Sequence, residues 1–419
     1  MRKILPILIA ISIICSCAST SDTKDQNKEQ TNDDLKAKAE ELAQKFIIAD
    51  GHVDLPYRME VKGFMFKKEV EDISVETNGN FDYPKAKKGG LDAPFMSIYV
   101  PSSYQKSGGA KEFADSLISM TVQVARTYPD KFALAYTPED VVQNFEDGLI
   151  SLPMGMENGA PIEDDLANVQ YFHDRGIRYI TLTHSKDNLI CDSSYDTVQT
   201  WNGLSPYGER VVAEMNRVGI MVDVSHISDS AFFDVMKIVK APVIASHSSA
   251  RAYTPGFQRN MNDDMLKALA INKGVIHINF SSSFLSKASR DKFNEMKAHL
   301  VNYRAENNLK EEDSVFIAYE QEFTKKFKED NNPFEDIKTA VDHIDHVVNL
   351  IGIDYVGFGS DFDGVGDSLP VGLKDVSMYP NLIYELLVRG YTEEDIEKIC
   401  YKNTFRVWNE VIKVSNKIG

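Results

Sequence analysis

Residues 47–56 read Ile47-Ile48-Ala49-Asp50-Gly51-His52-Val53-Asp54-Leu55-Pro56: a β-branched apolar run that ends in an imidazole and a carboxylate two residues apart. On a β-strand, residues i and i+2 point to the same face, so His52 and Asp54 converge. A catalytic divalent metal asks for such a pair when other strand ends supply the remaining ligands.

Five later apolar runs end the same way. Ile150–Met156 stops at Glu157, Ile177–Thr183 at His184, Ile220–Ser225 at His226, Pro242–Ser246 at His247, and Tyr355–Ser360 at Asp361. Four of the nine histidines thus stand at the ends of expected strands. One such histidine is ordinarily a hydrogen-bonded structural residue; four together with three carboxylates point to a site.

The runs at 46–52, 94–100, 150–156, 177–183, 220–226, 242–247, 274–280 and 355–361 give eight expected strands, with helical patterns such as 208–217 and 228–239 between them. Strands alternating with helices imply a parallel sheet, and eight imply closure into a (β/α)8 TIM-like barrel. Such barrels place their chemistry at the C-terminal strand ends, where every candidate ligand falls. A ninth run, 132–136, is expected outside the barrel. The charged stretch 286–333 reads as a helical insertion before the last strand, with a solvated face or a lid as its two readings. Stretches 381–390 and 392–408 read as closing helices.

The N-terminus has a different character. Arg2 and Lys3 precede an apolar stretch, Ile4 to Ile14, too short for the about 20 residues that span a bilayer. It closes in Ile14-Cys15-Ser16-Cys17, which resembles a bacterial lipobox with Cys17 as the lipidated residue. Residues 1–16 are therefore expected to be a lipoprotein signal peptide, residues 17–34 a polar tether, and residues 35–419 one catalytic domain. Such a protein would be lipid-anchored in a bacterial cell envelope, outside the cytoplasm, and anchored rather than spanning. The net charge of −17, which loss of Arg2 and Lys3 would take to −19, offers nothing to nucleic acid. It also repels a carboxylate-bearing substrate at long range, so capture needs local cations. Beyond the lipobox only Cys191 and Cys400 remain, which is no disulfide framework.

The segments Asp50–Pro56, Thr181–His184, Gly203–Gly208, Val222–His226, Ser246–Ala250, Arg259-Asn260 and Gly357–Val365, in this order, resemble the membrane dipeptidase (renal dipeptidase) family of zinc peptidases. The resemblance implies hydrolysis of dipeptides by two zinc ions per chain. His52 and Asp54 would hold one ion, His226 and His247 the other, and Glu157 would bridge them. Two cations a few Å apart call for a shared carboxylate to offset their repulsion, which suits Glu157. A hydroxide between the ions would be the nucleophile. The resemblance further implies that Asp361 moves protons and meets the substrate's ammonium, that His184 stabilises the oxyanion, that Arg259 binds the substrate carboxylate, and that the protein is a homodimer. Asp363 rivals Asp361, and Arg251 rivals Arg259.

The chain departs from the family pattern at Val53, usually Asn, at Asn158-Gly159, usually two glycines, and in the loop 185–191 beside the substrate. These departures bear on substrate preference, including acceptance of a C-terminal D-residue, more than on the reaction. Two other readings stand beside this one. A deaminase or cyclic amidase of the amidohydrolase type would usually open with His-x-His rather than His-x-Asp. A catalytically silent binding lipoprotein would be expected to have lost ligands, and none is missing.

Overall fold

The computed structural model describes residues 31–61 and 71–418. The signal peptide, the lipobox with Cys17 and nearly all of the expected tether lie outside these residues. A helix, Asn32–Lys45, starts inside the expected tether: Thr31 and Asp34 form a reciprocal capping box, so residues 32–34 are helical.

Ten strands follow: β1 (Ile48–Val53), β2 (Leu91–Tyr99), β3 (Phe132–Leu134), β4 (Ile150–Leu152), β5 (Met154–Glu157), β6 (Ile177–Thr181), β7 (Met221–Asp223), β8 (Ile244–Ser248), β9 (Val275–Ile278) and β10 (Val356–Phe358). Eight form a closed barrel in the order β1-β10-β9-β8-β7-β6-β5-β2. Every neighbouring pair is parallel, and β1 meets β10 at Asp50 and Phe358 to close it. This is the (β/α)8 architecture the sequence implies.

The expected strand 150–156 is divided. Its first half, β4, pairs with β3 in a separate two-stranded sheet, and only β5 enters the barrel. Pro153 stands at the break. Its ring nitrogen cannot donate to a ladder, while its carbonyl accepts from Met96 N at 2.8 Å and so starts the pairing with β2. β7 and β10 are also shorter than expected, so His226 and Asp361 lie three residues past the strands that deliver them.

The lower barrel is filled by Ala49, Phe95, Tyr179, Met221, Ile244 and Val275. The C-terminal helix Asn403–Ile418 seals it, with Trp408 5.2 Å from the Phe95 ring. Gly155 makes room for Tyr179 across the interior: a Cβ there would lie 2.0 Å from the tyrosine ring. Above this layer the buried lining turns polar, with Ser97, Thr181, Asp223, Ser246 and His277. The expected insertion is a helical hairpin, Lys287–Glu306 and Ser314–Asn331, between β9 and β10. Among the described residues no helix is long and apolar enough to cross a membrane.

Candidate metal centre

The strand ends bring His52, Asp54, Glu157, His184, His226, His247 and Asp361 together at the C-terminal mouth of the barrel. His52 is the penultimate residue of β1, and Asp54 follows its end as the N-cap of the helix Leu55–Met59. The backbone N–H of Asp54 donates to Phe362 O at 2.9 Å, and Asp361 N donates to His52 O at 3.0 Å, so the β1–β10 seam fixes both carboxylates beside His52. His226 and Asp361 have φ of 70° and 63°. Left-handed backbone at two non-glycine residues is strain stored where side chains are aimed.

Glu157 is the hub. Its Oε1 lies 3.0 Å from His226 Nε2, 3.2 Å from His247 Nε2 and 3.6 Å from His184 Nε2, while Oε2 lies 3.4 Å from His52 Nε2. The two oxygens of one carboxylate thus face different imidazoles. On the Oε2 side, His52 Nε2 is 3.5 Å from Asp54 Oδ2. On the Oε1 side, the Nε2 atoms of His226 and His247 face each other at 2.9 Å.

Burial and the neighbouring charges set the protonation of the cluster. Burial lowers the pKa of His226 and His247 far below the usual imidazole value, with Glu157 opposing, so both are neutral. Burial lowers His184 too, against the pull of Glu157. Burial disfavours charge on His52, but Tyr179, Glu157 and Asp54 outweigh it and hold the imidazole well above its ordinary value. Burial pushes Asp361 up to about 7; His52 pulls it down, Asp54 and Glu157 push it up, and Asn279 pulls it down. Glu157 is held far below the usual range by the surrounding histidines despite burial.

Facing lone pairs, three converging carboxylates and buried, unpartnered His52 Nε2 and Asp54 Oδ1 fit a site built for cations. Gly364 belongs to this cradle, since a Cβ there would sit 2.0 Å from Asp54 Oδ2 and 2.4 Å from Asp361 Oδ1.

The groups behind the ligands were not singled out from sequence. Asp223 accepts from Ser246 Oγ at 2.6 Å, from Thr181 Oγ1 at 2.5 Å, and from the N–H groups of Ser225 and Ser246. Because Ser246 Oγ donates to Asp223, it accepts from His247 Nδ1 at 2.7 Å, which leaves the His247 Nε2 lone pair aimed at the centre. Tyr179 OH lies 2.8 Å from His52 Nδ1 and holds that ring in the same way. Asn279, just past β9, donates to Asp361 Oδ2 at 2.7 Å. A short polar residue at a strand end was the available signal, but without its partner it is indistinguishable from a turn residue.

The two rival residues have partners of their own. Asp363 is engaged by Arg58 Nη1 at 2.5 Å and by the N–H groups of Asn80 and Phe81, so it anchors the loop at 77–82. Arg251 is clamped in a fork on Asp229, at 2.7 and 2.6 Å. Arg259 is buried, donates to Ser248 Oγ at 2.7 Å and His247 O at 2.8 Å, and keeps a buried Nε without a partner. Asn158 takes φ 81°, a conformation Asn tolerates, so it serves where a glycine would. Val53 is fully buried and bridges to Phe362.

The membrane dipeptidase family model, peptidase family M19, matches residues 36–419, and the chain belongs to that family. Dipeptidase tcpJ from Claviceps purpurea (strain 20.1) is 32% identical over 380 residues, covering 87% of this chain and 77% of its own. Among solved structures, the probable dipeptidase PvdM from Pseudomonas aeruginosa has a TM-score of 0.77 at 27% identity, over 91% of this chain and 99% of that one. A metallopeptidase from Rhodobacter sphaeroides, solved with a phosphinate mimic of the dipeptide L-Ala-D-Ala, has a TM-score of 0.68 at 25% identity, over 87% and 99%. The family is one of metal-dependent dipeptidases, and this chain clusters residues that could hold a metal ion.

Ser246→Ala should leave the barrel folded but weaken metal retention by about 10- to 100-fold, the usual effect of losing a group that orients a ligand. Competition against a chelator measures it. Unchanged retention would show that the Asp223–Ser246–His247 relay does not orient the imidazole.

Proposed function

We propose that this protein hydrolyses the peptide bond of free dipeptides with two zinc ions, one held by His52 and Asp54, the other by His226 and His247, with Glu157 shared. The observation that carries this reading is the division of Glu157, one oxygen toward His52 and the other toward His226 and His247. When bound, the ions supply Lewis acidity and a water acidic enough to ionise near neutral pH, so no serine or cysteine nucleophile is needed.

The chain's own residues do the rest. Asp361, its Oδ2 held by Asn279, takes the proton of the attacking water and returns it to the leaving amine. It also faces the substrate's ammonium. His184, neutral and the most open of the four histidines at the centre, donates to the oxyanion that develops on the carbonyl. Arg259 receives the terminal carboxylate; its burial means that little water competes for the contact. The phosphinate-bound relative supports a dipeptide-sized site that takes a C-terminal D-residue. The amidohydrolase-type alternative loses its footing to the His-x-Asp opening and the family match, and the silent-lipoprotein alternative to the complete ligand set.

We place the folded domain on a lipid anchor at Cys17, outside the cytoplasm of a bacterial cell, as a homodimer; the lipobox-like Ile14-Cys15-Ser16-Cys17 supports the anchor and the family resemblance the dimer. Cys17→Ser should release the protein from the membrane fraction or block its processing, and unchanged attachment would remove the anchor.

The carboxylate role of Arg259 separates a dipeptidase from a general amidase. Arg259→Ala removes a charge-assisted contact in a desolvated site, worth about 2–4 kcal/mol, so kcat/KM on a free dipeptide should fall roughly 30- to 1000-fold. The dipeptide amide should be poor for the wild type and lose little more in the variant, a double-mutant cycle that isolates the contact. Equal losses on both substrates would make Arg259 structural.

A further inference from the structure

The helical insertion brings a second guanidinium onto the aromatic residues that adjoin the site. Arg290 stands in the first turn of Lys287–Glu306, with its guanidinium 4.6 Å from the centroid of the Phe257 ring and its Nε buried without a partner. The other arginines around the centre are engaged: Arg58 by Asp363 and Glu71, Arg251 by Asp229, Arg259 by Ser248 and the His247 carbonyl. Arg290 has neither an ion pair nor a side-chain hydrogen bond among the described residues.

Its surroundings lead to the metal centre. Phe257 packs edge-on against Tyr195 at 6.0 Å and against Phe284 at 5.3 Å. Tyr195 lies 5.8 Å from the His226 ring, and the Arg259 guanidinium stacks 5.3 Å from Phe284. Arg290 is therefore separated from Arg259 by a single pair of phenylalanines.

We propose that Arg290 is a specificity-determining residue that reads a second carboxylate, carried on the side chain of the dipeptide's C-terminal residue, while Arg259 holds the main-chain carboxylate. This rests on the dipeptidase reading and names its substrate class: dipeptides ending in an acidic residue. A guanidinium stacked on an aromatic face keeps its N–H edge free for a carboxylate, and an arginine fork matches that group in a way a lysine would not. A chain with net charge −17 repels a doubly anionic substrate at distance. Two local cations, flanking the Phe257–Phe284 pair, are what such a substrate would need.

The test is a matched pair of substrates, a dipeptide ending in Glu and its isostere ending in Gln, with Ala-Ala as reference, on the zinc-loaded wild type, Arg290→Gln and Arg290→Glu. The wild type should favour the Glu dipeptide over the Gln dipeptide in kcat/KM by about tenfold or more, the effect of about 1.4 kcal/mol. In Arg290→Gln that ratio should fall to near one, and in Arg290→Glu it should invert. A structural role would lower both substrates together and leave the ratio intact. A wild-type ratio near one, or a ratio unchanged in both variants, overturns the proposal while hydrolysis of Ala-Ala leaves the dipeptidase reading standing. Absence of hydrolysis on all three dipeptides overturns both.

Discussion

One buried carboxylate organises this molecule. Glu157 sits at the end of β5 with four imidazoles around it, and its two oxygens face different partners. Burying Asp54, Glu157 and Asp361 together in a low-dielectric cavity is unfavourable unless positive charge offsets it. His52, held well above its ordinary value, offsets part of this charge, but His226 and His247 are neutral, and Arg259 is bonded to Ser248 and the His247 carbonyl. The arrangement makes physical sense as a holder of cations, and the surrounding structure keeps it from relaxing without them.

That restraint comes from the barrel. Closure by β1 against β10 puts Asp361 beside His52, and the left-handed backbone at His226 and Asp361 turns their side chains inward at a conformational cost. Behind them Asp223 draws together β6, β7 and β8 through Thr181, Ser225 and Ser246, so one carboxylate both joins strands and fixes the His247 tautomer. Stability and preorganisation are the same contacts here. The two arginines proposed to select substrate come instead from the connections, Arg259 from the loop after β8 and Arg290 from the hairpin after β9.

Much of this was legible in the sequence because strand periodicity and chemistry coincide. Apolar runs ending in His52, Glu157, His184, His226, His247 and Asp361 fixed the strands, their direction and the end carrying the site. Where the two signals part, the reading strays. The apolar run 150–156 contains Pro153, and composition alone did not reveal that the proline passes the chain from one sheet to another. Asn32 to Asp34 look like tether by composition, yet a capping box with Thr31 makes them helix. Asp363 and Arg251 match the types of Asp361 and Arg259, and only their partners Arg58 and Asp229, distant in sequence, set them apart. Tyr179 and Asn279 could not have been found without the fold, because each acts through a residue on another strand or loop, His52 and Asp361.

Crystals of the zinc-loaded protein measured on either side of the zinc absorption edge test the central claim most directly. Two anomalous peaks should flank the Glu157 carboxylate, one against His52 and Asp54 and the other against His226 and His247. A single peak, or a pair that does not share Glu157, would contradict it.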